Sequence, residues 1–95
     1  MRLTHEEIQA IKESFMEVFQ EGEIYLFGSR VDDTRRGGDI DLYIQTPPVE
    51  DLAEKKIDFL IKLKRRIGER KIDVVIARDE TRPIERAALK SGVKL

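Results

Sequence analysis

A chain of 95 residues makes one domain, 1–95, with a single modest core and no room for a second. Charged residues are 39% of it and nearly cancel, 18 basic against 19 acidic, so the basic excess of a duplex-binding protein is absent and a nucleic-acid partner is disfavoured. The lack of cysteine excludes disulfides and thiolate metal sites, and no apolar run approaches the roughly 20 residues of a membrane span. With no signal-type apolar segment near the N-terminus, the expectation is a soluble, cytoplasmic protein that makes no membrane contact.

Residues 4 to 20 read as a helix. Thr4-x-x-Glu7 matches a capping box, and Ile8, Ile11, Phe15, Val18 and Phe19 recur at helical spacing to form one apolar stripe. His5, the only histidine, is expected at the surface, since one imidazole makes no zinc site. Glu21-Gly22 ends the helix, and 23 to 27 follows as a first strand.

The loop 28 to 38 is polar and turn-compatible. Its Gly28 permits a sharp turn and a close approach of backbone N–H groups to a ligand, and the Ser29 hydroxyl can donate to a phosphate oxygen. Arg30, Arg35 and Arg36 lie in the same loop and either touch phosphate or face solvent. Asp32 and Asp33 read as a solvated turn.

Residues 39 to 46, DIDLYIQT, alternate as a second strand: Asp39, Asp41 and Tyr43 share one face, Ile40, Leu42 and Ile44 the other. Two carboxylates on one strand face suit an oxygen-loving ion such as Mg2+, which takes few protein carboxylates and completes its shell with water and phosphate. The competing reading of Asp-x-Asp at a strand start is a turn-capping pair. Pro47-Pro48 stops the ladder.

A helix over 49 to 67 carries Leu52, Ile57, Leu60, Ile61, Leu63 and Ile67, a band broken by Lys64, and Gly68 stops it. The basic cluster Lys62, Lys64, Arg65, Arg66, Arg70 and Lys71 is most simply matched to that helix C-terminus. The third strand, 71 to 77, puts Ile72, Val74 and Ile76 on one face and Asp73 on the other, so a carboxylate stands in an apolar strand and needs a basic partner or a metal. A strand–helix–strand crossover makes the second and third strands parallel neighbours, which brings Asp39, Asp41 and Asp73 to the same end of adjacent strands. Residues 83 to 91 complete the chain's helices, with Pro83 opening a short one whose apolar face is Ile84, Ala87 and Ala88.

Gly28-Ser29, a loop, Asp39-x-Asp41 and the later strand residue Asp73 together resemble the signature of the DNA polymerase β-like nucleotidyltransferase superfamily, and the short length resembles its minimal nucleotidyltransferase (MNT) branch. Nine residues separate Ser29 from Asp39, one fewer than the family's commonest spacing, and Gly38 stands where a Ser is frequent. The resemblance implies an α/β (α+β) nucleotidyltransferase fold, a mixed sheet of three or four strands with the first antiparallel to the second, flanked by helices.

It further implies a catalytic and metal-binding triad of Asp39, Asp41 and Asp73 that holds two Mg2+ ions, with Gly28 and Ser29 on the triphosphate of ATP; Arg30 and Arg36, from their place in the same loop, are expected to add phosphate contacts. The implied activity is transfer of a nucleoside monophosphate, AMP from ATP, to a hydroxyl. In the MNT branch the implied acceptor is a small helical HEPN-type toxin to which the chain is antitoxin. The alternatives are a non-catalytic antitoxin that neutralises its partner by occlusion, and a catalytic subunit acting on a small molecule. A tail this short leaves no acceptor domain, so a partner or a second copy is expected to supply one.

Overall fold

The computed structural model describes residues 3–28 and 39–95, and its elements follow from local chemistry. Helix α1 (His5–Val18) opens at Thr4, whose hydroxyl accepts from the Glu7 N–H at 3.1 Å while the Glu7 carboxylate accepts from the Thr4 N–H at 2.9 Å. That reciprocal pair satisfies two of the helix's free donors. The stripe Ala10, Ile11, Phe15 and Val18, continued by Phe19, is buried.

Strand β1 (Glu23–Phe27) pairs antiparallel with β2 (Ile40–Gln45), which pairs in parallel with β3 (Ile72–Ile76) through helix α2 (Leu52–Ile67). Helix α3 (Pro83–Ser91) and a two-residue strand β4 (Val93–Lys94) follow, and β4 lies antiparallel to the outer edge of β1. The sheet order is therefore β3-β2-β1-β4. It is the mixed, helix-flanked sheet the sequence implies, with the fourth strand present.

The core lies between one sheet face and the α1–α2 layer. Ile40, Leu42 and Ile44 are fully buried there, with Ile72, Val74, Ile76, Ile24 and Leu26 beside them. The centre of the α2 contribution is Phe59, which the apolar band read from sequence omits. Its ring lies 6.2 Å from that of Phe19, which in turn stacks on Phe15 at 5.6 Å. Ile57 and Ile61, both placed in that band, are exposed. The helix carries more apolar residues than one face holds, and the face centred on Phe59 and Leu63 is the one that meets the core.

Lys64, Arg65 and Arg66 of the basic cluster stand in the last turn of α2, as the sequence implies, and two members of the cluster also tie α2 and its exit to α1. Arg66 donates to the buried Ser14 hydroxyl at 2.9 Å and pairs with Glu17 at 2.7 Å, which clamps α2 to α1. Arg70 reaches Glu7 at 2.8 Å. Among the described residues no helix is long and apolar enough to cross a membrane.

Candidate active site

The second face of the sheet divides into a charged end and a covered end. At the charged end the β2–β3 register sets Asp41 directly opposite Asp73. Register partners on parallel strands project to the same face, so the two carboxyls stand side by side. Asp41 is half-buried, and its carboxyl is pushed above the usual carboxylate range, first by burial and then by the charges of Asp73 and Asp39, with Asp73 also within hydrogen-bonding reach. Crowded like charges resist simultaneous ionisation. This strand pair stores repulsion that a cation would relieve.

Gly28 sits against the same carboxylate. Its φ is +79°, a conformation other residues rarely adopt, and a Cβ there would collide with the Asp41 side chain. The antiparallel pairing of Phe27 with Asp41 produces this approach, because it ends β1 at the Asp41 position and leaves the next residue to turn over it. The glycine of Gly28-Ser29 and the second aspartate of Asp39-x-Asp41 are thus one contact.

Asp39 lies at the strand entry and pairs with the Lys71 ammonium at 3.3 Å. Lys71 is raised above its ordinary value, chiefly by that hydrogen bond and then by the charges of Asp39 and Asp73. Its side chain is 74% exposed, so the ammonium is a loosely held counter-charge that can swing aside. The sequence reading placed Lys71 in the basic cluster and missed this role. The signal available was its position, immediately before β3 and two residues from Asp73.

Structure brings together Gly28, Asp39, Asp41 and Asp73. Ser29, Arg30 and Arg36, together with the rest of the loop through Gly38, lie outside the described residues. Among the described residues no three carboxylate, imidazole or thiol groups converge tightly enough to form a finished metal cage. Two adjacent carboxylates with a third at the same strand end nevertheless fit a hard divalent cation in donor type and in charge, and such ions complete their shells with water and phosphate oxygens. Asp41 and Asp73 are the residues that would hold it, with Asp39 joining once released from Lys71.

A model of the nucleotidyltransferase domain family matches residues 8–95, which is most of the chain. The chain belongs to that family. The match spans all four strands, and the mixed four-stranded sheet with three helices agrees with that fold. A search of curated proteins returned no match. The family supports a transferase that moves nucleotidyl groups.

At the covered end of the same face, α3 lies over Tyr43 of this nucleotidyltransferase. Tyr43, assigned from sequence to the face of the aspartates, is on that face and completely buried. Its hydroxyl donates to Glu85 at 2.8 Å, and burial followed by this bond pushes its pKa up to about 12. Glu85 is also fully buried, a position that sequence reasoning missed. Its carboxylate accepts from the backbone N–H groups of Arg78 and Asp79, at 3.1 and 2.9 Å, and pairs with Arg82 Nε at 3.1 Å. Burial pushes the carboxyl up, but the Asp79 amide, the Tyr43 hydroxyl, the Arg78 amide and the Arg82 charge outweigh it and hold Glu85 below the usual range. This cluster fixes α3 and the exit of β3 to β2, two residues along from Asp41.

Proposed function

We propose that this domain transfers a nucleoside monophosphate from a nucleoside triphosphate, ATP first among them, to a hydroxyl on a partner protein in a Mg2+-dependent reaction. The observation that carries the reading is the Asp41–Asp73 pair, set side by side by parallel register and pressed against Gly28. A half-buried carboxylate in hydrogen-bonding reach of a second, exposed one costs stability unless the two have a cation to bind.

In the reaction, the acceptor hydroxyl oxygen forms a bond to the α-phosphorus. The bond from that phosphorus to the oxygen bridging to the β-phosphate breaks, and pyrophosphate leaves with the electron pair. When bound, divalent metal supplies charge neutralisation at the attacking and leaving oxygens. The exposed Asp73 carboxylate stands where it can take the acceptor proton, while Asp41 holds its place between Gly28 and Asp73. Gly28 lets the backbone approach the triphosphate closely, and the family resemblance assigns Ser29 to the same phosphates, where Arg30 and Arg36 are expected from their place in the loop.

The acceptor that the MNT resemblance implies is a small helical HEPN-type toxin, with the chain as its antitoxin, in the cytoplasm. Calorimetric titration with ATP and then GTP, with and without Mg2+, tests the nucleotide site against an Asp39→Asn, Asp41→Asn double variant. Binding that needs both the ion and the carboxylates supports transfer. A double variant that still binds and neutralises the partner in full would replace it with occlusion, in which the carboxylates have no part.

A further inference from the structure

Strand β3 is the outer strand of the sheet, and among the described residues nothing pairs with its free edge. Its ladder with β2 uses the odd-numbered positions: the Ile40 N–H donates to the Lys71 carbonyl at 3.0 Å and the Ala77 N–H to the Ile44 carbonyl at 2.8 Å. Alternation then turns the N–H and C=O groups of Ile72, Val74 and Ile76 outward. An apolar strand with an open row of backbone donors and acceptors is a template for another strand.

Beside this edge is a cleft of about 300 Å3 whose lining includes Leu52, Ala53 and Val75 and, as its charged groups, Lys56, Arg78 and Arg82. All three are cations, and no carboxylate lines the cleft. Arg82 is paired with Glu85, whereas neither Lys56 nor Arg78 forms a salt bridge with any carboxylate among the described residues. The molecule as a whole is nearly neutral, so this is a local positive rim on an apolar groove.

We propose that the free edge of β3 is a docking rail for an extended, acidic segment of a partner protein, which adds to the sheet as a fifth strand with apolar side chains in the cleft and carboxylates on Lys56 and Arg78. Main-chain bonding supplies affinity in this mode and alternate side chains supply selectivity. The inference rests on the transferase reading and specifies how its acceptor is held. At about 3.3 Å per residue, a strand anchored beside Ile76 reaches Asp73 in three residues, about 10 Å away. The rail therefore leads a hydroxyl of the docked segment toward the carboxylate that takes its proton.

The test uses the full chain labelled with nitrogen-15, titrated to millimolar concentration with an octapeptide of alternating glutamate and valine, and separately with its lysine–valine counterpart. The expected result is that the amides of Ile72, Val74 and Ile76 shift and exchange with deuterium about tenfold more slowly with the acidic peptide and not with the basic one. A Lys56→Glu, Arg78→Glu variant, changed at one half-buried and one exposed side chain that form no salt bridge among the described residues, is expected to weaken that binding about tenfold while its urea midpoint shows it still folded.

Unperturbed β3 amides, equal responses to both peptides, or a concentration-dependent dimer that already protects those amides would each overturn the rail. Nucleotide titration of the same samples keeps the two readings apart. Mg2+–ATP binding without peptide binding overturns the rail alone, and peptide binding without nucleotide binding overturns the transferase reading on which it rests.

Discussion

Replacing Glu85 by Gln keeps the shape of the side chain and removes its charge, in a place where every neighbour is a donor. One carboxylate oxygen accepts from the Tyr43 hydroxyl at 2.8 Å; the other accepts from the Asp79 amide at 2.9 Å and pairs with Arg82 at 3.1 Å, and the Arg78 amide is shared between the two. Glutamine retains one oxygen and turns an NH2 group toward one side of this set. Hydrogen bonds to a charged group are worth about 1.5–3 kcal/mol against about 1 for neutral ones. Losing the charge from several such bonds while the tyrosine hydroxyl re-orients as an acceptor costs about 2–3 kcal/mol. In a domain of this size that lowers the melting temperature by roughly 10–20 °C.

The sign with pH follows from the depressed carboxyl. Its stabilisation is complete above the unfolded value of 4.5 and is lost as pH falls through the lower folded value. Urea denaturation followed by circular dichroism at pH 7, and again stepwise below pH 4.5, should show a wide gap between wild type and Glu85→Gln that narrows in acid. A variant within about 0.5 kcal/mol of wild type at pH 7, inside the range of ordinary surface changes, would refute the view that this carboxylate anchors α3.

Phe59→Ala should destabilise by about 3–5 kcal/mol, read from the same urea midpoints, while Ile57→Ala, at an exposed position of the same helix, should change them little. Gly28→Ala should remove Mg2+–ATP binding in calorimetry, because the new methyl group displaces the Asp41 carboxylate. Asp41→Asn should raise the melting temperature in the presence of EDTA by relieving the repulsion around that carboxyl, yet abolish any stabilisation by added Mg2+. Wild type should show the opposite balance in thermal melts with and without the ion.

Much of this was legible in the chain. Period-two alternation located β2 and β3 to within a residue at each end and assigned their buried faces, and the crossover through α2 predicted the parallel pairing that joins Asp41 to Asp73. Pro83 and Gly92 bracketed α3 as read. What escaped depends on contacts between distant segments. A glutamate in the first turn of a short helix looks like ordinary dipole compensation, and only the arrival of Tyr43 and the Arg78–Asp79 amides makes Glu85 a buried hub. The clue was a tyrosine on the polar face of β2, where a large ring needs a cover. Strand β4, at two residues, is too short for any period to register, and Phe59 was hidden by the surplus of isoleucine and leucine on α2.

The parallel adjacency of β2 and β3 also bears on how the protein is made. Asp41 and Asp73 are 32 positions apart, and a whole helix must form and pack before their strands can meet. Ordering so long a connection precedes any reward from the pairing. A partly folded chain accordingly carries separate, well-solvated aspartates with little hold on a cation, and the competent site arises together with the finished sheet. On the proposed reading, nucleotide chemistry would then wait for the sheet to be finished.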